Sequence, residues 1–342
     1  MKKKEEHKWI FTDIRNGLCY NAIKKRIQNK REKRGVCMFE NIDAIVRSRA
    51  DGLELSVRML LPQEGETCKG VVQILHGMSE HKDRYLSFMN FLADHGYASV
   101  IHDHRGHGKS VKSIRGLGFM YEVGMEGFMD DILLINEMIH DKLPDVPLTV
   151  FGHSMGSLAA RVFLREHDHC MDKMIVSGPP SKNALVDMGI ILAKLQKTVK
   201  GPRSLGKLLE KISMGSYRKA FRDEKSKSAW LCSDRKIVEA FDADPYCGFT
   251  FTVDGYLTLL SLLKYTYLEK GWTCTKPDMP ILYLGGLQDP CIGGKVHFDD
   301  EMLVLKRAGY TRVAGKLYEG MRHEVCNERN KNSVYEDILK FL

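Results

Sequence analysis

Residues 147–166 read PLTVFGHSMGSLAARVFLRE, and the change from strand to helix inside that stretch decides the fold. Pro147 to Phe151 has the apolar, β-branched and aromatic character of a strand, and Ser157 to Glu166 that of a helix. Between them Gly152-His153-Ser154-Met155-Gly156 forms a GxSxG. The glycines matter because a serine on so sharp a strand-to-helix turn takes a strained backbone conformation, in which larger neighbours would clash. The turn also sets Ser154 at a helix N-terminus, where orphan N–H groups and the dipole favour developing negative charge. Ala159 and Ala160 follow where the helix must approach the sheet.

Similar strands flank this one. GVVQILHG (70–77) is a continuous apolar run, and YASVIHD (97–103), DKMIVSGP (172–179), PILYLGG (280–286) and VAGKLYE (313–319) repeat its character with helical stretches between. The segments IDAIVRS and LELSVRMLL alternate apolar and polar around Ala50-Asp51-Gly52, which predicts an antiparallel hairpin at a sheet edge. The pattern predicts an α/β fold, a doubly wound and mostly parallel sheet. Residues 181–245 break the rhythm with Leu-rich and Lys-rich helical pieces and no good strand, which predicts a helical cap inserted between core segments 38–180 and 246–342.

The chain of 342 residues, 43% hydrophobic and 28% charged, has enough apolar mass for a large core. Residues 1–37 carry 12 of its 52 Lys+Arg and 4 of its 44 Asp+Glu, which leaves 40 of each in the remainder. The net charge of +8 therefore belongs to an N-terminal extension, read either as a poorly ordered tail or as a basic amphipathic helix over residues 10–27 that contacts anionic membrane. A neutral body argues against a nucleic-acid partner. Nine scattered cysteines without a CxxC pair fit a reducing cytoplasm rather than a disulfide framework or a zinc site; no 18-residue apolar span occurs, and residues 1–14, with no apolar run after their positive charge, are not expected to act as a leader.

The chemistry is expected at Ser154, Asp289 and His323, which occur in the chain order nucleophile, acid, base. Asp289 ends PILYLGGLQD, where a strand's carboxyl end delivers a side chain to the catalytic face, and His323 lies between the last strand and the closing helix. Backbone N–H groups of Met78, beyond the first buried strand, and of Met155 are expected to form the oxyanion hole. His102, His104 and His107 crowd one loop, but with no second cluster of ligands they read as loop packing rather than as a metal site. No cofactor or metal is expected. Glu324 and Glu328 either orient the base's loop or have a solvated or capping role, and Met188 and Met214 either line an acyl pocket or fill core.

HGMSEHKDRY (76–85), HDHRGHGKS (102–110), GHSMG (152–156), WLCSDRKIVEAFDADPYCGFTFT (230–252), GGLQDP (285–290) and MRHEVCNE (321–328) together resemble the monoacylglycerol lipase and lysophospholipase branch of the α/β-hydrolases, also called serine aminopeptidase-like hydrolases. The resemblance covers about residues 40–342. It implies a cofactor-free serine ester hydrolase with a mobile helical cap and a small amphiphilic ester as substrate, and it places the triad and both oxyanion donors on the residues chosen above. Two other readings stand beside it. One is a peptidase or amidase, for which Asp187, Glu210 and Asp244 are available to recognise a substrate amine, and the other is a non-catalytic binding protein. Oligomeric state is left open by the sequence.

Overall fold

The computed structural model describes residues 39–342. The basic extension expected over residues 1–37 lies outside them. Eight strands, β1 (Phe39–Arg47), β2 (Glu54–Pro62), β3 (Gly70–Leu75), β4 (Tyr97–His102), β5 (Leu148–His153), β6 (Lys173–Ser177), β7 (Ile281–Gly286) and β8 (Val313–Tyr318), form one sheet in the order β1-β2-β4-β3-β5-β6-β7-β8. β1 and β2 make the antiparallel edge hairpin, β2 runs antiparallel to β4, and every later pairing is parallel.

Successive side chains of a strand point to opposite faces, so a strand buried on both sides is apolar at most positions, and a polar one such as Gln73 needs a buried partner. Val72, Ile74, Phe151, Ile175 and Leu284 face one layer, formed by α1 (Leu86–Asp94) and α9 (Lys331–Phe341) through Phe88, Leu92, Val334 and Ile338. Their neighbours Val71, Val150, Val176 and Tyr283 face the other, which holds α2 (Gly124–Lys142), α3 (Met155–His167), α7 (Val253–Thr266) and α8 (Lys295–Arg307). Two more helices, α4 (Val186–Lys200) and α5 (Lys207–Ala220), and the shorter α6 (Arg235–Ala243), fill the stretch between β6 and α7, which has no strand. α4 packs on α7, with Gly189 close to Leu260.

A buried cation ties the edge hairpin to the loop after β4. Arg105, with no exposed surface, bonds Asp131 of α2 at 2.8 Å, Asp51 of the hairpin turn at 3.2 Å and Ser48 at 2.9 Å. A guanidinium can be buried only when its N–H groups are met, and here α2 and the turn meet them. Among the described residues no helix is long and apolar enough to cross a membrane.

Phe151, 1% exposed, packs its ring at a tilt against that of Phe88, 5.2 Å between centroids, in the α1 and α9 layer. Phe151→Ala is expected to cost about 3 to 5 kcal/mol in urea denaturation; a loss below about 1 kcal/mol would mean that this layer is not the packed core described.

Candidate active site

Ser154 stands at φ +53°, ψ −116°, between the last residue of β5 and the first of α3. The close approach is enforced from both sides. A Cβ on Gly152 would lie 2.3 Å from the Gly156 carbonyl oxygen, and one on Gly156 would lie 2.0 Å from that of Leu75, so neither position accepts a side chain. The strained turn is pinned by the Ser154 N–H donating to Ser177 O at 2.9 Å and by the Ser157 hydroxyl donating to Ser154 O at 2.6 Å. Ala159 and Ala160 are fully buried against the sheet, as their size suggested.

Asp289 and His323 come together although 34 residues separate them. His323 Nδ1 lies 2.8 Å from Asp289 Oδ2, while the other carboxylate oxygen accepts the Cys291 N–H at 2.8 Å. With Nδ1 facing a carboxylate, Nδ1 carries the proton, and Nε2 is left as the acceptor. That nitrogen is buried and has no partner. Ser154 and His323 line the same cavity, with Met78 and Met155, while Asp289 is buried behind His323. The structure brings the acid and the base into contact; it does not close a hydrogen bond from Ser154 to Nε2, and such bonds commonly tighten only with substrate bound.

Burial alone would push the His323 imidazole down, but the Asp289 carboxylate, with smaller contributions from Glu324 and Glu80, outweighs it and leaves the pKa above the ordinary value of 6.5. Two rings flank the imidazole, that of His153 at 4.7 Å and that of Trp230 at 4.8 Å. His153 behaves in the opposite way. Burial, with repulsion from His323, holds it down at about 4, so it is neutral.

No acceptor among the described residues takes the N–H of Met78 or of Met155. The loop carrying Met78 is fixed from both ends. Gly77 N–H donates to Glu80 Oε1 at 2.6 Å, the Ser79 hydroxyl donates to Phe249 O at 2.7 Å, and Gly248 N–H donates to Ser79 O at 2.9 Å. Glu324 and Glu328 are buried rather than solvated: Glu324 binds Arg84 through two bonds of 2.6 and 2.7 Å, and Glu328 accepts the N–H groups of Ser233 and Arg322, each at 2.9 Å. Glu80, Arg84 and Trp230 are the residues of this site that sequence reasoning missed.

The cavity measures about 610 Å³. Its lining includes apolar side chains, among them Leu158, Ile212, Met214, Leu259, Leu260 and Leu263, and polar ones, among them Glu210, Ser213, Arg218, Lys227 and Asp242. Met214 thus lines the cavity, whereas Met188 is exposed and belongs neither to it nor to the core. The loop histidines pack as expected. His104 N–H donates to His76 Nε2 at 2.9 Å, His104 Nδ1 meets His102 Nε2 at 3.1 Å, and burial pushes His102 and His107 down to about 3. Asp289, Cys291 and His323 do converge, but the Asp289 carboxylate and His323 Nδ1 are spent on each other, and burial beside Asp289 holds the Cys291 thiol well above its usual range.

The family model described as serine aminopeptidase, S33 matches residues 66–330. A monoacylglycerol lipase of Mycolicibacterium smegmatis is 26% identical over 277 residues, covering 80% of this chain and 88% of that protein. A monoglyceride lipase homolog of Monkeypox virus is 29% identical over 276 residues, covering 79% of this chain and 88% of its own length. A thermostable carboxyl esterase from Bacillus coagulans, solved with glycerol, shares the fold at a TM-score of 0.78 and 24% identity, over 89% of this chain and 97% of that one.

The electrostatics are testable without reference to turnover. Followed by NMR, the His323 imidazole is expected to titrate above about 6.5 and, in Asp289→Asn, to fall below it, because burial then acts unopposed by its main partner. A parent midpoint below 6.5 would contradict this pairing.

Proposed function

The chain belongs to the serine aminopeptidase S33 family of α/β-hydrolases, and from that premise we propose that it is a serine carboxylic ester hydrolase acting on single-chain lipid esters, of monoacylglycerol or lysophospholipid type, through an acyl-enzyme on Ser154. The observation that carries the reading is the orphaned Nε2 of His323, buried in the wall it shares with Ser154 while Nδ1 is held by Asp289. Nε2 takes the Ser154 hydroxyl proton as Oγ attacks the ester carbonyl, and Asp289 stabilises the imidazolium that results. The N–H groups of Met78 and Met155 meet the tetrahedral oxyanion, an interaction worth about 3 to 4 kcal/mol per donor. The proton then passes to the leaving alcohol, and water activated by His323 releases the acid.

Residues 181–245 are taken as a cap over the core of 38–180 and 246–342. Its surface favours a lipid substrate. Of 13 exposed large apolar side chains among the described residues, 8 fall between Leu185 and Ile212, a stretch whose last residue lines the cavity, as do Ser181 to Ala184 just before it. Apolar exposure on that scale marks a binding surface. The acidic residues available to the peptidase reading each have a cationic or imidazole partner. Asp187 pairs with Lys264, Glu210 with Arg218, and Asp244 with His81.

An acyl-chain series of p-nitrophenyl esters, alongside monoacylglycerol, lysophospholipid and aminoacyl-arylamide substrates, checks the assignment. Turnover is expected to peak on the single-chain lipids and to fall at least about 10³-fold in Ser154→Ala. Arylamide cleavage without lipid-ester cleavage would overturn the substrate class, and retained hydrolysis in Ser154→Ala would overturn the nucleophile.

A further inference from the structure

A charged side chain lies almost buried between the two loops that the proposed chemistry depends on. Arg84, whose side chain is 12% exposed, donates from Nη1 to Glu80 at 2.5 Å and grips Glu324 with Nη1 and Nη2 at 2.7 and 2.6 Å. Glu80 and Glu324 are buried and form ion pairs with no other cation among the described residues. Their remaining contacts are the informative ones. Glu80 Oε1 accepts the Gly77 N–H at 2.6 Å and the Tyr85 hydroxyl at 2.9 Å, so its position sets the His76–Gly77 peptide, one residue ahead of the Met78 N–H. Glu324 follows His323 directly, and its own N–H donates to Leu231 O at 2.8 Å, next to the Trp230 ring that covers His323. The guanidinium also lies 4.8 Å from the Phe241 ring of α6.

Burying three charges costs desolvation that an apolar cluster of the same volume would avoid, so the cluster is poorly explained as a stabiliser. What an apolar cluster lacks is direction. A planar guanidinium with bonds fixed on two sides holds two carboxylates in one relative geometry, and through them two loops.

Resting on the serine-hydrolase reading, we infer that Arg84 is a positioning residue: with Glu80 and Glu324 it locks the Met78 oxyanion loop to the loop carrying His323, so that oxyanion donor and base stand in one geometry when Ser154 attacks. The cluster also carries one negative charge in excess, facing His323. The other titratable or charged groups around that imidazole are Asp289 and Cys291 from the loop after β7 and His153 from β5, while Arg322 on its own loop is engaged by Glu224. Geometry and charge are therefore separable by substitution.

The test uses Arg84→Lys, Glu324→Gln and Glu80→Gln in the full chain, with a short-chain p-nitrophenyl ester as substrate, thermal denaturation as the check on folding, and Ser154→Ala as control. Lysine keeps the charge but cannot bridge both carboxylates with fixed direction. Arg84→Lys is expected to lower kcat about tenfold or more with KM within about twofold, leaving the acid limb of the pH profile in place. Glu324→Gln removes a negative charge facing His323, so its acid limb is expected to move to lower pH. If either fails to fold, Glu80→Gln, which keeps volume and shape, must show the same loss in kcat. Folded variants with parental kcat and parental acid limb, or with only KM changed, would overturn the inference while an inactive Ser154→Ala left the hydrolase reading standing. A Ser154→Ala protein that still hydrolysed the ester would sink both together.

Discussion

The backbone at Ser154 is the constraint on which the rest of the site depends. A serine at φ +53° sits in a region that L side chains avoid, at a cost of order 1 to 3 kcal/mol, and it persists only where its surroundings over-determine it. Here the surroundings are the centre of the sheet. β5 lies between β3 and β6, Gly156 is pressed against the Leu75 carbonyl at the end of β3, and the Ser154 N–H is tied to Ser177 at the end of β6. Three adjacent parallel strands thus converge on one residue, and two layers of helices hold them there. The apolar runs that fill the core and the strained turn that presents the serine are parts of one arrangement.

Around that turn the molecule spends buried charge where most proteins avoid it. Asp289, His323, Glu80, Arg84 and Glu324 lie within neighbouring loops, each buried or nearly so, and each meets a partner. Their effect on the two histidines differs in sign. His323 touches a carboxylate and is held above its ordinary pKa, whereas His153, without such a contact, is held near 4 by burial and by its neighbour. Two imidazoles 4.7 Å apart are therefore shifted in opposite directions.

Much of this was legible in the sequence because it follows from local chemistry. The strands were visible as apolar runs at even spacing, the edge hairpin as alternation about Ala50-Asp51-Gly52, and the turn at Ser154 as two glycines that leave no room for a side chain. Asp289 and His323 could be placed because each ends a strand or follows one. Glu80, Arg84 and Trp230 could not, since in one dimension a buried ionic residue reads like a solvated one; Glu80 and Arg84 look like any i, i+4 surface pair until Glu324, 240 residues beyond Arg84, closes on them. The same limit explains Glu324 and Glu328, whose burial depends on loops distant in the chain. Met188 illustrates the converse. Read as lining a pocket or filling core, it does neither, because α4 buries the opposite face, around Ala193, against the protein.

The central claim is that the folded chain generates an activated nucleophile at one position. The most direct measurement is reaction of the native protein with a fluorophosphonate, followed by intact mass and peptide mapping. The account predicts a single adduct, on Ser154, lost on denaturation before labelling and much slower in His323→Ala. Failure of the native protein to react, or an adduct elsewhere while Ser154 stays free and ester hydrolysis stops, would contradict it.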